Sequence, residues 1–386
     1  MKIAVVTHFP NDPQSPRGGV EAVSVNLVAA LSAFPDLEVH VVTVNRLQKS
    51  TGVSRWHSAT IHRLPYLGGT TLGNAIGRGR QQVSEYVYSL HPTVIHAHDT
   101  YGLMVQGLNI PRVFTVHGFI YADTRVSRMP LARLRSQLWK WFETRGWADQ
   151  DYIISISPYV RERLIGIACG PIYDIDNPVS PELFEVTRTE RKGVIFSAAV
   201  IEPRKNTMQL VEVVRKLVDE GAEVELRLAG AFTNAAYAHQ VERRIRELSL
   251  DRHVVLLGSI TTDHVRRELE EASVFALLSL EENSPMGIEE AMAVGVPVVT
   301  SNRCGMPYIV RHGETGFLVD PKDTTTAARY FVQLLTDDDL RRRMGARSRA
   351  VALDRFHPAE VARRSRAVYY EAAGALIGEG VSYAKA

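Results

Sequence analysis

Short apolar runs alternate along most of this chain with longer segments whose apolar residues recur every three or four positions. A short continuous apolar run is typical of a strand buried on both faces, and the longer period is typical of an amphipathic helix. The predicted strands are Ile3–Thr7, Val39–Val44, Val94–Ala97, Val113–Val116, Tyr152–Ser155, Val194–Ser197, Val224–Ala229, Val254–Leu257, Val274–Ala276 and Val296–Thr300. The predicted helices include Val20–Phe34, Thr207–Glu220, Ala235–Ser249 and Asp263–Ala272. Because strand–helix repetition builds doubly wound parallel sheets, the predicted fold class is α/β.

The strand–helix rhythm stops once, near the middle of the chain. Residues 177–192 are rich in Pro, Thr and charged side chains and follow neither period, so we interpret them as a linker between two domains. A length of 386 residues also exceeds what one hydrophobic core usually organises. Ligands of open α/β sheets bind beyond the carboxyl ends of the strands, and a cleft between two such domains is therefore the expected functional site.

Composition and charge narrow the class of protein. Hydrophobic residues make up 45% of the chain and charged residues 23%, as in ordinary globular proteins. Cys169 and Cys304 lack the spacing of a zinc site or a disulfide framework. The chain opens on a strand rather than a signal sequence, and no apolar stretch approaches the ~20 residues of a membrane-spanning helix, so we expect a cytoplasmic protein. Residues 39–145 contain 13 Lys and Arg against four acidic residues, which indicates an anionic contact for the first half.

Two short motifs are candidates for holding phosphate. Gly18 and Gly19 follow the first predicted strand and open a helix, where free amide groups and the helix dipole favour an anion, although a Gly pair there is also an ordinary turn. Arg204 and Lys205 follow the first strand of the second half, where cations can neutralise a departing phosphate or simply belong to a solvated helix start. The chain has no GxGxxG or Walker spacing, which favours a diphosphate group over a dinucleotide or ATP.

A pair of glutamates carries the most specific signal. Glu282 and Glu290 lie on either side of a loop and the first turn of a predicted helix. One carboxylate can face the cleft while the other lies near the helix N-terminus, and a carboxylate that accepts from neighbouring hydroxyls is a usual way to hold a ribose or pyranose. Most glutamates at a helix start only complement its dipole.

Two other sequence features are less specific for a function. His96-Ala97-His98-Asp99 has the residue types of a metal site, but it ends a predicted strand, where alternate side chains point to opposite faces, and we expect no metal ion or cofactor. The segment Arg125–Trp147 mixes bases with Leu and Trp, a pattern typical of helices on an anionic membrane surface and also of a helix whose apolar side lies in the core. Nucleic acid is not an expected partner, because no binding motif accompanies the charge.

Taken together, the whole chain resembles the family-4 retaining glycosyltransferases of GT-B fold. The resemblance rests on matches in order along the chain, at Gly18–Glu21, Thr115–Gly118, Ser155–Ser157, Asn177, Glu202–Asn206, Glu282–Glu290 and His312–Val319. It implies an acceptor-binding Rossmann-like domain at 1–178, a nucleotide-sugar-binding Rossmann-like domain at 179–359 and an interdomain cleft. It also implies that a C-terminal crossover helix at 360–386 completes the first domain.

The resemblance implies an activity and a role for each site residue. The enzyme would be a retaining, metal-independent hexosyltransferase that moves a sugar from a nucleotide-diphosphate sugar to a saccharide or lipid-linked acceptor, in bacterial surface or secondary glycoconjugate synthesis. Gly18 and Gly19 would meet the donor phosphate or the acceptor, and His117 would contact the transferred sugar. Arg204 and Lys205 would hold the diphosphate, and Glu290 the ribose. The transferred sugar would lie against Glu282 and the backbone of Asn283, Ser284, Pro285, Met286 and Gly287.

This chain departs from the family pattern at two places. Many relatives have an Arg where Val200 stands, which makes Arg204 the candidate substitute, and Asn283-Ser284-Pro285 replaces the usual Gly-Phe-Gly. Two other functions stay open: a sugar-nucleotide epimerase or hydrolase of similar fold, which would act on the donor without an acceptor, and a two-lobed solute-binding protein. The basic first half adds the alternative of a peripheral position on the inner face of the membrane.

Overall fold

The chain folds into two compact units. The computed structural model describes residues 1–126 and 131–374. The first unit contains Met1–Pro178 together with the chain from Pro358, and the second contains Val179–His357. The first division falls at the predicted boundary, and the return to the first unit comes two residues before the predicted 360.

The first unit is built on an eight-stranded sheet with the strand order β3-β4-β2-β1-β5-β6-β7-β8. All neighbouring strands are parallel except β3 and β4, which form an antiparallel pair at the edge. The strands are β1 (Lys2–Val6), β2 (Glu38–Asn45), β3 (Gly52–Trp56), β4 (Ala59–Pro65), β5 (Val94–His98), β6 (Arg112–Val116), β7 (Tyr152–Ser155) and β8 (Ile172–Asp174). The helices are α1 (Gly19–Leu31), α2 (Thr71–Ile76), α3 (Arg78–Ser89), α4 (Tyr101–Met104), α5 (Ile120–Val126), α6 (Ala132–Ala148) and α7 (Pro158–Leu164).

The second unit is a six-stranded, entirely parallel sheet with the order β11-β10-β9-β12-β13-β14. Its strands are β9 (Val194–Ala198), β10 (Glu225–Ala229), β11 (Val254–Gly258), β12 (Val274–Leu277), β13 (Val298–Ser301) and β14 (Gly316–Val319). Its helices are α8 (Thr207–Asp219), α9 (Ala235–Glu247), α10 (Thr262–Glu271), α11 (Met286–Val294), α12 (Met306–Ile309), α13 (Thr324–Thr336) and α14 (Asp338–Arg355). Buried aliphatic side chains on both faces of the central strands explain their continuous apolar runs.

The predicted linker at 177–192 was wrong in extent. Val179, Leu183 and Phe184 are buried in the core of the second unit, and a short 3₁₀ helix spans Pro181–Glu185. The backbone N–H groups of Thr189 and Arg191 donate to carbonyl groups at the end of α10. The segment therefore lacks either period because its backbone is irregular, although it packs as part of the second unit.

The last helix, α15 (Pro358–Ala372), belongs to the first unit. Val361, Val368 and Tyr369 are buried in the core on that side of the first sheet. The Arg366 guanidinium lies 2.7 Å from the Asp36 carboxylate in the loop between α1 and β2. The helix ends at Ala372, within the predicted range 360–386, and residues 375–386 lie outside the described part of the chain. Among the described residues, no helix is long and apolar enough to span a membrane.

Candidate active site

A short turn after β9 places the two predicted phosphate-binding cations. A 3₁₀ turn spans Pro203–Lys205, and Asn206 follows it in the left-handed region, with φ of 58°. The side-chain amide nitrogen of Asn206, Nδ2, donates to the carbonyl oxygens of Leu278 and Pro321, both at 3.0 Å. These bonds tie the turn to the loop after β12, because Leu278 is the first residue beyond that strand.

The structure brings Arg204 and Lys205 together with Glu282. The Lys205 ammonium donates to Glu282 Oε1 at 2.5 Å, and Arg204 Nη1 lies 3.4 Å from Glu282 Oε2. Arg204 Nη1 also donates to the Glu281 carbonyl at 2.8 Å, and its Nε donates to Glu202 at 3.1 Å. Two cations and two carboxylates therefore form one cluster at the carboxyl ends of β9 and β12. A phosphate that binds here has to draw the cations away from Glu282.

Two glycines shape the loop that joins Glu282 to α11. The Gly305 N–H donates to the Glu282 carbonyl at 2.8 Å, and a Cβ on Gly305 would lie 1.8 Å from the Asn283 carbonyl oxygen. A Cβ on Gly287 would lie 3.0 Å from both the Ala198 carbonyl oxygen and the Phe275 ring. Sequence reasoning missed Gly305. No residue pattern marked it, since its role depends on the close approach of two loops that are distant in sequence.

The start of α11 is available for a ligand oxygen. Pro285 is the N-cap residue, and no side chain caps the helix. The N-cap residue therefore gives the first amide groups of α11 no side-chain acceptor, and the helix dipole favours electron-rich atoms there. Asn283, Ser284 and Met286 complete the loop at this end of the helix.

The two neighbouring glutamates of α11 have different environments. Glu289 is fully buried, and its carboxylate accepts a hydrogen bond from the Ser284 hydroxyl. Within the part of the chain that the structure describes, the Glu290 carboxylate has no hydrogen-bond or ion-pair partner, and burial raises its pKa to about 7. Glu290 therefore has acceptor capacity for a ligand, whereas Glu289 serves the fold. At the position of the missing Arg, the Val200 side chain is exposed and supplies no cation.

In the first unit, His117 lies beside His98 rather than alone. Strands β5 and β6 are parallel neighbours, so the residues that follow them meet at one edge of the sheet. His98 Nδ1 and His117 Nε2 are 2.8 Å apart and share one proton in a hydrogen bond, with the two rings stacked. Burial lowers the pKa of His117 to about 4, and a hydrogen bond with Asn177 acts in the opposite direction. His117 is therefore neutral at pH 7.

The His96–Asp99 motif is explained by packing and hydrogen bonding. His96 uses both ring nitrogens, at 2.7 Å from the Tyr369 hydroxyl and 2.7 Å from the Thr115 hydroxyl. Among the described residues no group of His, Cys, Asp and Glu has the arrangement of a metal site. Asp99 has a left-handed backbone conformation, with φ of 47°. Its carboxylate accepts a hydrogen bond from the backbone N–H of His117. Burial raises the pKa of Asp99 to about 6, against the effect of nearby His8.

Gly18 and Gly19 are not among the lining residues of the large cavity of the first unit, although Arg17 and Glu21 on either side of them are. Gly18 has a φ of 105° and precedes α1, and a Cβ built on it would meet no atom within 4 Å. The Glu21 carboxylate accepts the Arg17 N–H at 2.6 Å, so a carboxylate already lies beside the N-terminus of α1. The cavity, of about 730 Å³, includes Arg17 and Glu21 in its wall. A phosphate at Gly18 would compete with Glu21, which favours a contact with a neutral group there.

The two mainly parallel sheets define a class of protein built from two Rossmann-like units, and in this chain the second unit has cations at the carboxyl ends of its strands. The family comparisons then give the family. A family model described as Glycosyltransferase Family 4 matches residues 17–183, and one described as Glycosyl transferases group 1 matches residues 180–351. Since the two models together cover most of the chain, the protein belongs to the family-4, group 1 glycosyltransferases.

Known proteins agree with this family. The chain is 28% identical over 183 residues to the N-acetyl-alpha-D-glucosaminyl L-malate synthase of Bacillus anthracis, a match that covers 47% of this chain and 46% of that protein. The chain thus matches about half the length of this curated relative. Sucrose-phosphate synthase from Thermosynechococcus elongatus superposes with a TM-score of 0.81 at 20% identity, covering 96% of this chain and 98% of that one. Anabaena HepE in complex with UDP and glucose gives 0.74 at 16% identity, covering 96% and 100%. The fold is GT-B.

Proposed function

We propose that the protein is a retaining glycosyltransferase that moves a hexosyl group from a nucleotide-diphosphate sugar to a saccharide or lipid-linked acceptor. One observation carries the proposal: in the second unit Arg204 and Lys205 meet the Glu282 carboxylate, while Glu290 keeps a desolvated carboxylate without a described partner. A diphosphate, a sugar and a ribose are the groups that these side chains suit. The names of relatives support it, since HepE binds UDP and glucose and the synthase makes an N-acetylglucosaminyl product.

In this proposal donor binding rearranges the cation cluster. Arg204 and Lys205 turn from Glu282 toward the diphosphate, and the released Glu282 carboxylate accepts hydroxyl groups of the sugar. The bond between the anomeric carbon and the phosphate oxygen then breaks, and its electron pair leaves with the diphosphate, whose growing charge the two cations stabilise. The acceptor hydroxyl oxygen bonds to the anomeric carbon and gives up its proton, for which the departing phosphate oxygen is the nearest base.

The acceptor is proposed to bind in the first unit. The cavity that Arg17 and Glu21 help to line has uncharged polar groups in its wall and the apolar Phe9 and Met104. The polar groups include Asn11, Asn45 and Asn74, and the charged side chains Asp12, Arg17, Glu21 and Arg46 balance one another in sign. A mixed lining of this kind suits a molecule with both hydroxyl groups and apolar faces, as saccharides have. His117, which is neutral at pH 7, is proposed to hydrogen-bond the transferred sugar.

The test is a screen of nucleotide sugars by thermal shift followed by product analysis. A donor at 100 times its dissociation constant adds about 2.7 kcal/mol to native stability, which a melting curve resolves. The selected donor, incubated with candidate acceptors, should give a product whose anomeric proton coupling shows the donor's configuration. An inverted product would contradict the retaining mechanism. Epimerised or hydrolysed sugar from the donor alone, at the rate seen with acceptor, would support the epimerase or hydrolase instead.

A second proposal concerns location: we infer that α6 rests on an anionic membrane surface. Four side chains on its outer face, which we call the apolar stripe, are between 48% and 72% exposed: Leu131, Leu134, Leu138 and Trp141. They recur at the helical spacing, opposite the buried face of the helix. An exposed apolar row of this kind marks an interaction surface.

Charge selects the partner of the apolar stripe. The exposed bases Arg133, Arg135, Lys140 and Arg145 flank it, and none of them forms an ion pair with a described residue. Arg145 stacks on the Trp141 ring at 3.8 Å. A second copy of this chain would set these bases against each other, whereas anionic lipid attracts each by roughly 1 kcal/mol. Arg128, also in the predicted segment, lies outside the described residues.

Vesicle co-sedimentation tests this location. The protein should bind anionic vesicles and not neutral ones, and binding should weaken with salt because the attraction is screened. Leu138→Glu should abolish binding, whereas Val53→Glu, at an exposed position on β3 of the same unit, should leave it intact. Equal, low sedimentation with both vesicle types would leave α6 as an ordinary surface helix, and binding to an acidic protein would then be the alternative to examine.

A further inference from the structure

The helix that follows His117 has no capping side chain of its own. Gly118 and Phe119 precede α5, and neither offers a polar side chain to its first amide groups, which need acceptors from elsewhere. Glu143 supplies them from the buried face of α6. Its Oε1 accepts the Ile120 N–H at 3.0 Å, and its Oε2 accepts the Tyr121 N–H at 2.8 Å. One carboxylate therefore holds the start of α5 through both of its oxygens.

The other end of the same segment is held by a second carboxylate. The Asp99 side chain accepts a hydrogen bond from the backbone N–H of His117. The backbone of residues 117–121 is therefore held at both ends by acidic side chains. Ser136, about two helical turns before Glu143 on α6, donates its hydroxyl to the Tyr121 carbonyl at 2.7 Å. The backbone that carries the His117 ring is thus fixed from two neighbouring elements of the first unit.

Glu143 occupies this place at a cost to stability. It is only 6% exposed, and no Lys or Arg among the described residues pairs with it. Burial, with nearby Asp99 and Asp123, raises the pKa of Glu143 to about 7, while the two backbone N–H groups oppose the shift. Because this folded-state pKa is above the ordinary value, the carboxyl's contribution to the free energy of unfolding falls as pH rises from about 4.5 to about 7. The hydrogen bonds of this buried carboxylate go to the segment that carries His117, so its place in the fold is tied to that segment.

We propose that Glu143 is a positioning residue: by binding the Ile120 and Tyr121 amide groups it sets the backbone that carries His117. Only two residues separate His117 from α5, so a displaced first turn displaces the ring. The inference rests on the proposed function to the extent that His117 contacts the transferred sugar. Its effect should appear in turnover rather than donor affinity, because the proposed diphosphate and ribose contacts belong to the second unit.

The pH dependence of turnover follows from the groups that face Glu143. These are Asp99 from the loop after β5, whose own pKa is about 6, and Asp123 from α5. The ionised carboxylate is the stronger acceptor for two N–H groups, so kcat should rise as pH increases through about 7. His117, with a pKa of about 4, does not titrate in that window.

The experiment compares Glu143→Gln with a matched control. Gln keeps the size of the side chain but offers one acceptor oxygen for two amide groups. The control is Glu268→Gln in the second unit, where an equally buried carboxylate forms an ion pair with Arg227 at 2.9 Å. The measurements are kcat and donor KM across the neutral pH range, melting temperature at about pH 8, and hydrogen exchange of the two amide groups.

We expect Glu143→Gln to lower kcat roughly 10- to 100-fold and to flatten its pH profile, with donor KM nearly unchanged. Its melting temperature above the pKa should stay the same or rise, because the destabilising charge is gone. Exchange at residues 120 and 121 should accelerate, and Glu143→Asp should restore part of the pH dependence. Glu268→Gln should melt earlier and keep its kcat.

Two results would overturn the proposal. One is an unchanged kcat, and the other is a loss of activity that merely follows a lower melting temperature. If the wild-type protein turns over no nucleotide sugar, the proposed function has failed, and the positioning role is then decided by exchange at 120 and 121 and by the His117 ring resonances. Unchanged exchange and unchanged resonances in Glu143→Gln would reject it.

Discussion

The candidate cluster of the second unit and that of the first unit differ in the charge state of their side chains. In the second unit Arg204, Lys205 and Glu282 carry opposite charges that are paired in the absence of a substrate. In the first unit burial lowers the pKa of His117 and raises the pKa of Asp99, and each shift favours the uncharged form of the side chain. The cluster of the second unit is therefore charged and ion-paired, whereas burial favours the neutral forms of His117 and Asp99 in the first unit.

This difference matches the two kinds of molecule that a glycosyltransferase must hold. A diphosphate requires cations that stay charged at every physiological pH, and the fork of an Arg guanidinium beside a Lys provides them. A saccharide requires hydrogen-bonding groups in fixed orientations with little net charge, because unpaired charge would bind water instead. If so, substitutions in the charged cluster of the second unit should act on the nucleotide-diphosphate donor, in its binding or in the departure of its diphosphate.

The largest expected effect comes from Lys205→Ala. Its loss removes a cation from the departing diphosphate, and the removal of one such stabilising donor typically costs about 10²- to 10³-fold in rate. We expect kcat/KM for the donor to fall by that factor. Lys192→Ala, which breaks an exposed ion pair with Asp338 in the same unit, is the control and should behave as wild type. Similar kinetics for both variants would show that the cluster does not act on the donor.

The second effect separates the two glutamates. Glu290→Ala should weaken donor binding roughly 10- to 100-fold, because a hydrogen bond to a charged group contributes about 1.5–3 kcal/mol. Glu282→Ala should instead depress kcat, since the contact with the transferred sugar strengthens as positive charge develops on its ring. Its loss also releases Lys205 and Arg204 from their ion pairs, so affinity for the nucleoside diphosphate should not fall.

Calorimetry with a nucleoside diphosphate is the control for this pair of variants. The ligand lacks the sugar, so its affinity should decrease in the Glu290 variant only. The opposite pattern would mean that the roles of the two carboxylates are reversed. Equal losses would mean that the loop 283–287 collapses in both.

Patterns of hydrophobicity were sufficient for the central strands and insufficient for the edges. All ten predicted strands are present because their apolar runs reflect burial on both faces. The antiparallel pair β3 and β4 was missed, since β3 is half-buried only at its two ends and reads as polar sequence. Strands β8 and β14, each at the edge of its sheet, were missed as well.

The convergence of Arg204, Lys205 and Glu282 could be predicted from the sequence, because their two short motifs follow neighbouring parallel strands, β9 and β12. Their roles toward a ligand stay a prediction. Glu143 and Gly305 were missed because their contacts are made with backbone groups distant in sequence, which no local pattern records. His98 was weighed only as a metal ligand, although the alignment of β5 and β6 would have placed it beside His117.

A third, smaller effect is the pH dependence of donor binding. Glu290 has a pKa of about 7 because burial opposes its charge, and its ionised form accepts ribose hydroxyls better. Donor KM should therefore fall roughly 10-fold between about pH 6 and pH 8, as the ionised fraction rises. Glu290→Gln should abolish the dependence. A nucleotide sugar is the ligand to use, since the terminal phosphate of a free nucleoside diphosphate itself titrates near 6. A pH-independent KM in the wild-type protein would contradict the role of Glu290.

The smallest expected effect is that of a chelator, and it tests the comparison most directly. If Arg204 and Lys205 leave Glu282 to neutralise the diphosphate, no divalent ion is needed for that task, and transfer in excess chelator should change less than about twofold. The structure makes this a demanding prediction, because Glu202 and Glu282 balance the two cations before the donor binds. If those ion pairs persisted, the cluster would have no net positive charge with which to neutralise the diphosphate. The Lys205→Ala variant is the internal control, since added Mg²⁺ should restore little of its activity if the site has no place for the ion. Complete loss of wild-type transfer in chelator, restored by Mg²⁺ or Mn²⁺, would show instead that the ion pairs persist in the donor complex and that a metal carries the charge now assigned to the two side chains.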